Sequence, residues 1–231
     1  MTPSMLKMNS RELIRTNAPK IILVGLVYII ATTFISELQF RLPAPVGIYQ
    51  QLRLGQITIE QFYNSFRTYG ILLSLMLGLM LPTVSIGYKC YCLNIVRKKE
   101  GDYKDLLSGL QMFTKVISLS VVITVIVMFW SLLFIFPGIV AFYKYRQAYY
   151  ILLDDPSKTI MHCIYESRHL MHGRKIELFL IDVSFFSWYI LNTLVLSFVI
   201  PFFPIVSIWL TPYYGLTQAA YYNSLLKEVT V

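Results

Sequence analysis

Apolar residues collect in six long stretches, at roughly 19–40, 69–96, 115–136, 138–154, 175–200 and 203–226. A helix needs about 20 apolar residues to cross the hydrocarbon core of a bilayer. The stretch 138–154 is the shortest and most polar of the six. Inside hydrocarbon every backbone polar group must find a partner in the protein, which favours helices. The period-two alternation of barrel strands is absent. The pattern therefore predicts an all-α, polytopic transmembrane helical bundle of about six spans in three hairpins, with short interfacial helices. It reads as a single integral-membrane domain over residues 1–231.

The connecting segments carry their own signals. Residues 1–18 predict a cytoplasmic N-terminal helix, with Asn9 and Glu12 at the spacing of a capping pair. Pro19 then fits the start of the first span. This polar, basic opening and the length of the first apolar run argue for an uncleaved anchor rather than a signal peptide. The external loop, 41–68, opens with Leu42-Pro43-Ala44-Pro45-Val46-Gly47, which disfavours regular helix. Thr58 and Gln61 have capping-box spacing, so a helix is expected over about 59–68, with Ile59, Phe62, Tyr63 and Phe66 on one face. Segments 97–114 and 155–174 are expected to be cytoplasmic and interfacial. In the first, Leu106, Leu107, Leu110 and Phe113 have helical spacing. In the second, Asp155 is the expected N-cap, Pro156 the first helical residue and Gly173 the stop. Ile160, Ile164 and Met171 mark its apolar face.

Composition agrees with a membrane solvent. Hydrophobic residues make up 56% and charged residues 14% of the chain, and mean hydropathy is +0.61. Soluble domains hold about 25% charged residues. Net charge is +8. Fourteen of the basic residues fall on one side of the expected topology: Lys7, Arg11, Arg15 and Lys20; Arg97, Lys98, Lys99, Lys104 and Lys115; Lys158, Arg168, Arg174 and Lys175; and Lys227. The other side holds Arg41, Arg53 and Arg67. The positive-inside rule then places both termini in the cytoplasm. It also accounts for the basicity without nucleic acid as a partner. The expected partners are the lipid bilayer, anionic headgroups on the cytoplasmic face, and a second copy or another membrane protein. Cys90, Cys92 and Cys163 give no disulfide framework.

A faint internal repeat links the returning spans. Pro82 is followed at the same offset by Tyr88-Lys89-Cys90-Tyr91 as Pro137 is by Tyr143-Lys144-Tyr145. Ala148-Tyr149-Tyr150 recurs as Ala220-Tyr221-Tyr222. Chance in a chain with 17 tyrosines explains this nearly as well as a duplication.

The chemistry-bearing candidates are few. Lys144 and Arg146 lie in the fourth span and Asp182 about two turns into the fifth. A charge at the bilayer centre costs roughly 2.5–3.5 kcal/mol on insertion scales, so these groups should face protein or water. Lys144 or Arg146 is expected to pair with Asp182. Tyr145, Tyr149, Gln218 and Tyr221 complete the candidate intramembrane polar site. A structural ion pair and an ion or substrate path both remain open readings of it. Thr211, Thr217, Gln218, Asn223 and Ser224 make the sixth span too polar to face lipid. Gly215 and Ala219 give it a small-xxx-small pair for close packing. His162, Cys163, His169 and His172 lack zinc-type spacing, and the histidines read as solvated side chains on a basic interfacial helix. No catalytic motif, cofactor site or metal site is expected.

Several short elements occur in a recognisable order. They are Asn9-Ser10-Arg11-Glu12-Leu13, Phe136-Pro137-Gly138-Ile139, Tyr149-Tyr150-Ile151-Leu152, Asp155-Pro156, Ser167-Arg168-His169-Leu170-Met171 with Gly173, and Pro212-Tyr213. Together they resemble the domain-of-unknown-function 975 family of bacterial integral membrane proteins. The resemblance implies a bacterial plasma-membrane protein and supplies no catalytic residues. The external loop 41–68 is longer than the resemblance leads one to expect and is not anchored by it.

Three functional readings follow. The first is a non-enzymatic membrane protein acting through partners or lipids, in an accessory, regulatory, immunity or stress role. The second is a transporter or channel component with a polar path between spans 4, 5 and 6. The third is a membrane-embedded lipid-modifying enzyme, which requires His169 and Asp155 to converge.

Overall fold

The computed structural model describes residues 3–43, 47–65, 68–99, 101–198 and 205–229. Among the described residues 86% are helical and no strand occurs. The helices are α1 (Pro3–Thr16), α2 (Ala18–Arg41), α3 (Ile48–Arg53), α4 (Ile59–Asn64), α5 (Thr68–Val96), α6 (Ser108–Gln111), α7 (Phe113–Leu133), α8 (Ile135–Tyr145), α9 (Ala148–Asp154), α10 (Ile160–Leu170), α11 (Lys175–Phe198) and α12 (Ile205–Val229). A 3₁₀ turn, Tyr103–Leu107, precedes α6. Three helices, Ala18–Arg41, Gly70–Val96 and Phe113–Leu133, are long and apolar enough to cross a membrane. Helices α11 and α12 have 24 and 25 residues, which gives each a length of about 36 Å at ~1.5 Å per residue.

Helix α12 lies at the centre. Every residue from Leu216 to Tyr222 is buried. A helix buried all round is a core helix. Helices α1, α2 and α5 pack on it, and α7 and α8 pair beside α5. The outward faces are apolar: Leu23, Val27, Ile30 and Phe34 on α2, and Val121, Val125, Met128 and Phe129 on α7. Apolar surface of this extent suits lipid rather than water.

Small residues allow the closest contacts. A Cβ at Gly25 would lie 3.3 Å from the Pro212 ring, and one at Gly215 would lie 2.9 Å from both Tyr88 and Cys92. Gly215 thus sets the approach of α12 to α5. Segment 102–111 folds back along α5. Asn94 donates to Asp105 at 3.0 Å, and a Cβ at Gly109 would sit 2.0 Å from the Thr83 carbonyl oxygen. This segment is therefore docked on α5 and does not lie apart from it. Its expected single apolar face is split. Leu106 packs inward while Leu107 and Leu110 are exposed, because the change from 3₁₀ to α winding shifts the phase.

The capping signals had mixed outcomes. Thr58 and Gln61 form the reciprocal box: the Thr58 N–H donates to Gln61 Oε1 at 2.9 Å, and the Gln61 N–H to Thr58 Oγ1 at 3.2 Å. Helix α4 ends at Asn64, and residues 66–67 of the expected helix lie outside the described residues. Residues 44–46 of the Pro-rich turn and the connection at 201–204 also lie outside them. Helix α3 was not foreseen; it starts directly after Gly47, whose φ of 84° reverses the chain. Asn9 and Glu12 cap nothing, since α1 already begins at Pro3. Pro19 does occupy the first turn of α2.

Asp155 is not the cap of α10. Its carboxylate accepts from the Ser157 N–H at 3.0 Å and from the Ser157 hydroxyl, closing a tight turn. The cap falls to Thr159, whose hydroxyl accepts from the His162 N–H at 3.3 Å. Ile164 and Met171 are buried, and Ile160 packs at their edge, as their spacing predicts. Gly173, with φ of 76°, lies in the turn between α10 and α11. The fourth apolar stretch is two helices, α8 and α9, with Arg146 and Gln147 in a turn between them.

Two outcomes are expected. Gly109→Ala drives a methyl into backbone and should cost about 1–3 kcal/mol, read as a lower thermal midpoint in detergent. The Ser157 hydroxyl, followed by its backbone N–H, holds the Asp155 carboxyl below the usual carboxylate range. A depressed carboxylate pKa stabilises the fold above its unfolded-state pKa, and that contribution is lost as pH falls through the folded-state pKa. Ser157→Ala should therefore raise the Asp155 pKa in an NMR titration.

Candidate functional site

A carboxylate inside an apolar bundle must find donors or be neutralised. Asp182 on α11 finds four. Its Oδ2 accepts from the Tyr143 hydroxyl at 2.9 Å and from Arg146 Nη1. Its Oδ1 accepts from the Tyr214 hydroxyl at 3.0 Å and from Gln218 Nε2 at 2.9 Å. Arg146 Nη2 also donates to the Tyr214 oxygen. A carboxylate has about four acceptor positions, so Asp182 is saturated. The side chains of Arg146 and Asp182 are only 16% and 19% exposed. Tyr143 and Arg146 are three apart at the end of α8, and Tyr214 and Gln218 four apart on α12, so each pair shares a helix face. The Phe142 ring lies 5.4 Å from the Arg146 guanidinium, and Phe185 packs edge-on against Tyr214.

Of the two basic candidates, the structure selects Arg146 as the partner of Asp182. Lys144 Nζ lies 5.2 Å from the Tyr145 ring, and its carbonyl accepts from the Ser167 hydroxyl at 2.9 Å. Tyr145 is buried outside the cluster. Tyr149 donates to Ser120 at 3.2 Å, and Tyr221 donates to the Arg174 carbonyl at 3.0 Å and to Glu177 at 3.3 Å. Gln218 is the remaining candidate that reaches Asp182. Tyr143 and Tyr214 belong to the cluster, although among so many tyrosines no spacing marks them.

Lys89 was not singled out as a site residue. It lies on α5 with Nζ 4.4 Å from the Tyr149 ring and 5.6 Å from the Tyr150 ring. Among the described residues no carboxylate pairs with it. Arg146 lies in the turn that leads into the helix carrying both rings. Two cations therefore share this region with one carboxylate, and the tyrosine faces hold the second cation. Beside Arg146, the fully buried Gln147 amide has no protein partner at either end.

A second polar layer ties α5, α9 and α12. Arg97 grips Asp154 through two bonds of 2.6 and 2.8 Å, and Tyr222 donates to Asp154 at 2.7 Å. The rings of Tyr150 and Tyr222, which hold equivalent places in the faint repeat, stack at 5.0 Å and 17°. On α10, Glu166 accepts from Lys158 at 2.7 Å and contacts His162 at 3.0 Å. His169 lines a cleft with Asp154, Lys158 and Glu166, whereas Asp155 is engaged by Ser157. Among the described residues no group of three or more His, Cys, Asp or Glu is placed to hold a metal. Cys90, Cys92 and Cys163 are free.

The elements at the centre of this geometry run from the tip at Pro137 to the end of α12. Residues 137–229 match the family model of DUF975, a protein of unknown function. The resemblance read from the sequence holds over that stretch. The DUF975 stretch contains the whole Asp182 cluster and α10; Asn9–Leu13 and Lys89 fall outside it. No curated protein and no solved structure matches the chain.

The cluster yields two expectations. Asp182→Leu leaves a buried guanidinium without its counter-ion and should cost about 3–5 kcal/mol; Arg146→Met combined with it should recover most of the loss. An Asp182→Leu protein with the wild-type thermal midpoint would contradict a pinning role. Lys89→Met removes a half-buried cation that has no counter-ion among the described residues, and a thermal midpoint equal to or above wild type is expected.

Proposed function

We propose that this is a six-span, non-enzymatic integral membrane protein that acts through membrane partners or lipids. In this reading α2, α5, α7, the broken pair α8–α9, α11 and α12 cross a bacterial plasma membrane in three hairpins. Both termini face the cytoplasm. Saturation of Asp182 carries the proposal. All four of its acceptor positions are taken by side chains of the protein, so the cluster works as a pin between helices and holds no open site for a substrate. The basic end of the bundle, with its lipid-facing flanks, supports a role at the inner leaflet, alone or with a second copy.

Lys89 favours a second reading, a component of an anion path. A cation held only by tyrosine faces keeps its hydrogen-bonding capacity free for a passing anion.

Flux measurements separate the two. Wild-type protein in chloride-loaded liposomes should leak no faster than empty liposomes. Chloride flux that disappears in Lys89→Met would replace the first reading with the second. Topology is checked independently with reporters active on only one side of the membrane. A fusion after residue 231 should report cytoplasm and one at Gly55 the exterior; the same side for both would refute the six-span arrangement.

A further inference from the structure

The corner between α10 and α11 holds a concentration of basic side chains. A cleft of about 580 Å³ is lined by Tyr165, Arg168, His169, Leu170, His172 and Arg174. Arg168, His169 and His172 are exposed, and among the described residues no carboxylate pairs with any of them. The carboxylates of neighbouring elements are committed elsewhere. Glu228 pairs with Arg174, Glu166 with Lys158 and His162, and Glu177 accepts from Tyr221. None of these contacts satisfies the donors of Arg168.

The surface next to this cleft is apolar. Ile176, Leu180 and Val183 lie on one face of α11 and are 70%, 53% and 44% exposed. Tyr165, 65% exposed, borders the cleft on the α10 side. A tyrosine with an apolar body and polar tip is the side chain favoured at headgroup level. A ligand suited to both surfaces has an anionic head and a hydrocarbon tail.

We propose that this corner binds an anionic phospholipid. Its phosphate lies between Arg168 and His172, beside the Arg174–Glu228 ion pair, and its acyl chains run along Ile176, Leu180 and Val183. Arginine matches phosphate through its planar fork of donors. The turn at Gly173 brings His172 and Arg174 to the same side as Arg168 on the last turn of α10. This inference rests on the reading of α11 as a lipid-facing span.

Full-length protein in a zwitterionic detergent tests it. Short-chain phosphatidylglycerol, short-chain phosphatidylcholine and inorganic phosphate are titrated separately, with binding read from the shift in thermal midpoint. Arg168→Ala and the double variant Arg168→Ala with His172→Ala should fold as wild type, since among the described residues neither side chain has a hydrogen-bond or ion-pair partner. Phosphatidylglycerol should stabilise the wild type, and the other two should not. Its apparent affinity should fall about fivefold in Arg168→Ala, the loss expected for one surface cation, and further in the double variant. Unchanged affinity in the double variant would overturn the assigned site while leaving the membrane reading intact. Wild type that does not distinguish the two lipids would overturn the lipid reading itself. Inorganic phosphate competing as well as phosphatidylglycerol would make the ligand a free phosphate.

Discussion

A single carboxylate constrains the C-terminal part of this bundle. Asp182 lies in an apolar helix, where an unpaired charge is costly. Its four donors come from α8, the turn after it, and α12. Meeting that requirement sets the rotation of three elements at once: α8 must present Tyr143 and Arg146, and α12 must present Tyr214 and Gln218. Between apolar helices in lipid, packing alone specifies rotation weakly, because lipid tails are as apolar as the side chains they would replace. A saturated polar cluster supplies that specificity.

The rest of the core is arranged around the same central helix by other means. Gly215 admits Tyr88 and Cys92 of α5, and Gly25 admits the Pro212 ring. Arg97 and Asp154 bind α5 to α9, and Tyr222 joins them from α12. Helix α1 adds a strap: its buried Leu6, Ser10 and Ile14 face the bundle, Arg11 donates to Tyr213 at 3.1 Å, and Lys7 donates to Ser184. Burial lowers the Lys7 pKa, as expected for an amine drawn out of water. Pro3–Thr16 of the expected N-terminal helix are thus helical and packed against the bundle.

The local signals were legible where one interaction dominated. Thr58 and Gln61 cap α4 because nothing competes for them. Asp155 lost its capping role because Ser157, two residues on, offers both a hydroxyl and an N–H, leaving Thr159 to begin α10. Asn9 and Glu12 had the right spacing in the wrong place, since α1 starts a turn and a half earlier. The polar character of α12 marked it as a helix that packs inside the protein, and Leu216 to Tyr222 are all buried. Lys144 and Arg146 could not be separated by composition. They lie two apart, on different faces of the helix, and only its rotation decides which one meets Asp182. Lys89 escaped notice for the same reason: the Tyr149 and Tyr150 faces that hold it come from a helix about sixty residues away.

By itself the sequence determined the helical class, helices apolar enough to cross a membrane and the need for Asp182 to find partners. Each follows from local composition and from the cost of baring polar groups to hydrocarbon. Tertiary structure alone decided that Arg146 is the partner, that Tyr143, Tyr214 and Gln218 complete the shell, and that segment 102–111 docks on α5. These outcomes depend on the rotation and approach of helices far apart in the chain. Those are set by the joint packing of small residues and donors, which no single stretch of sequence encodes.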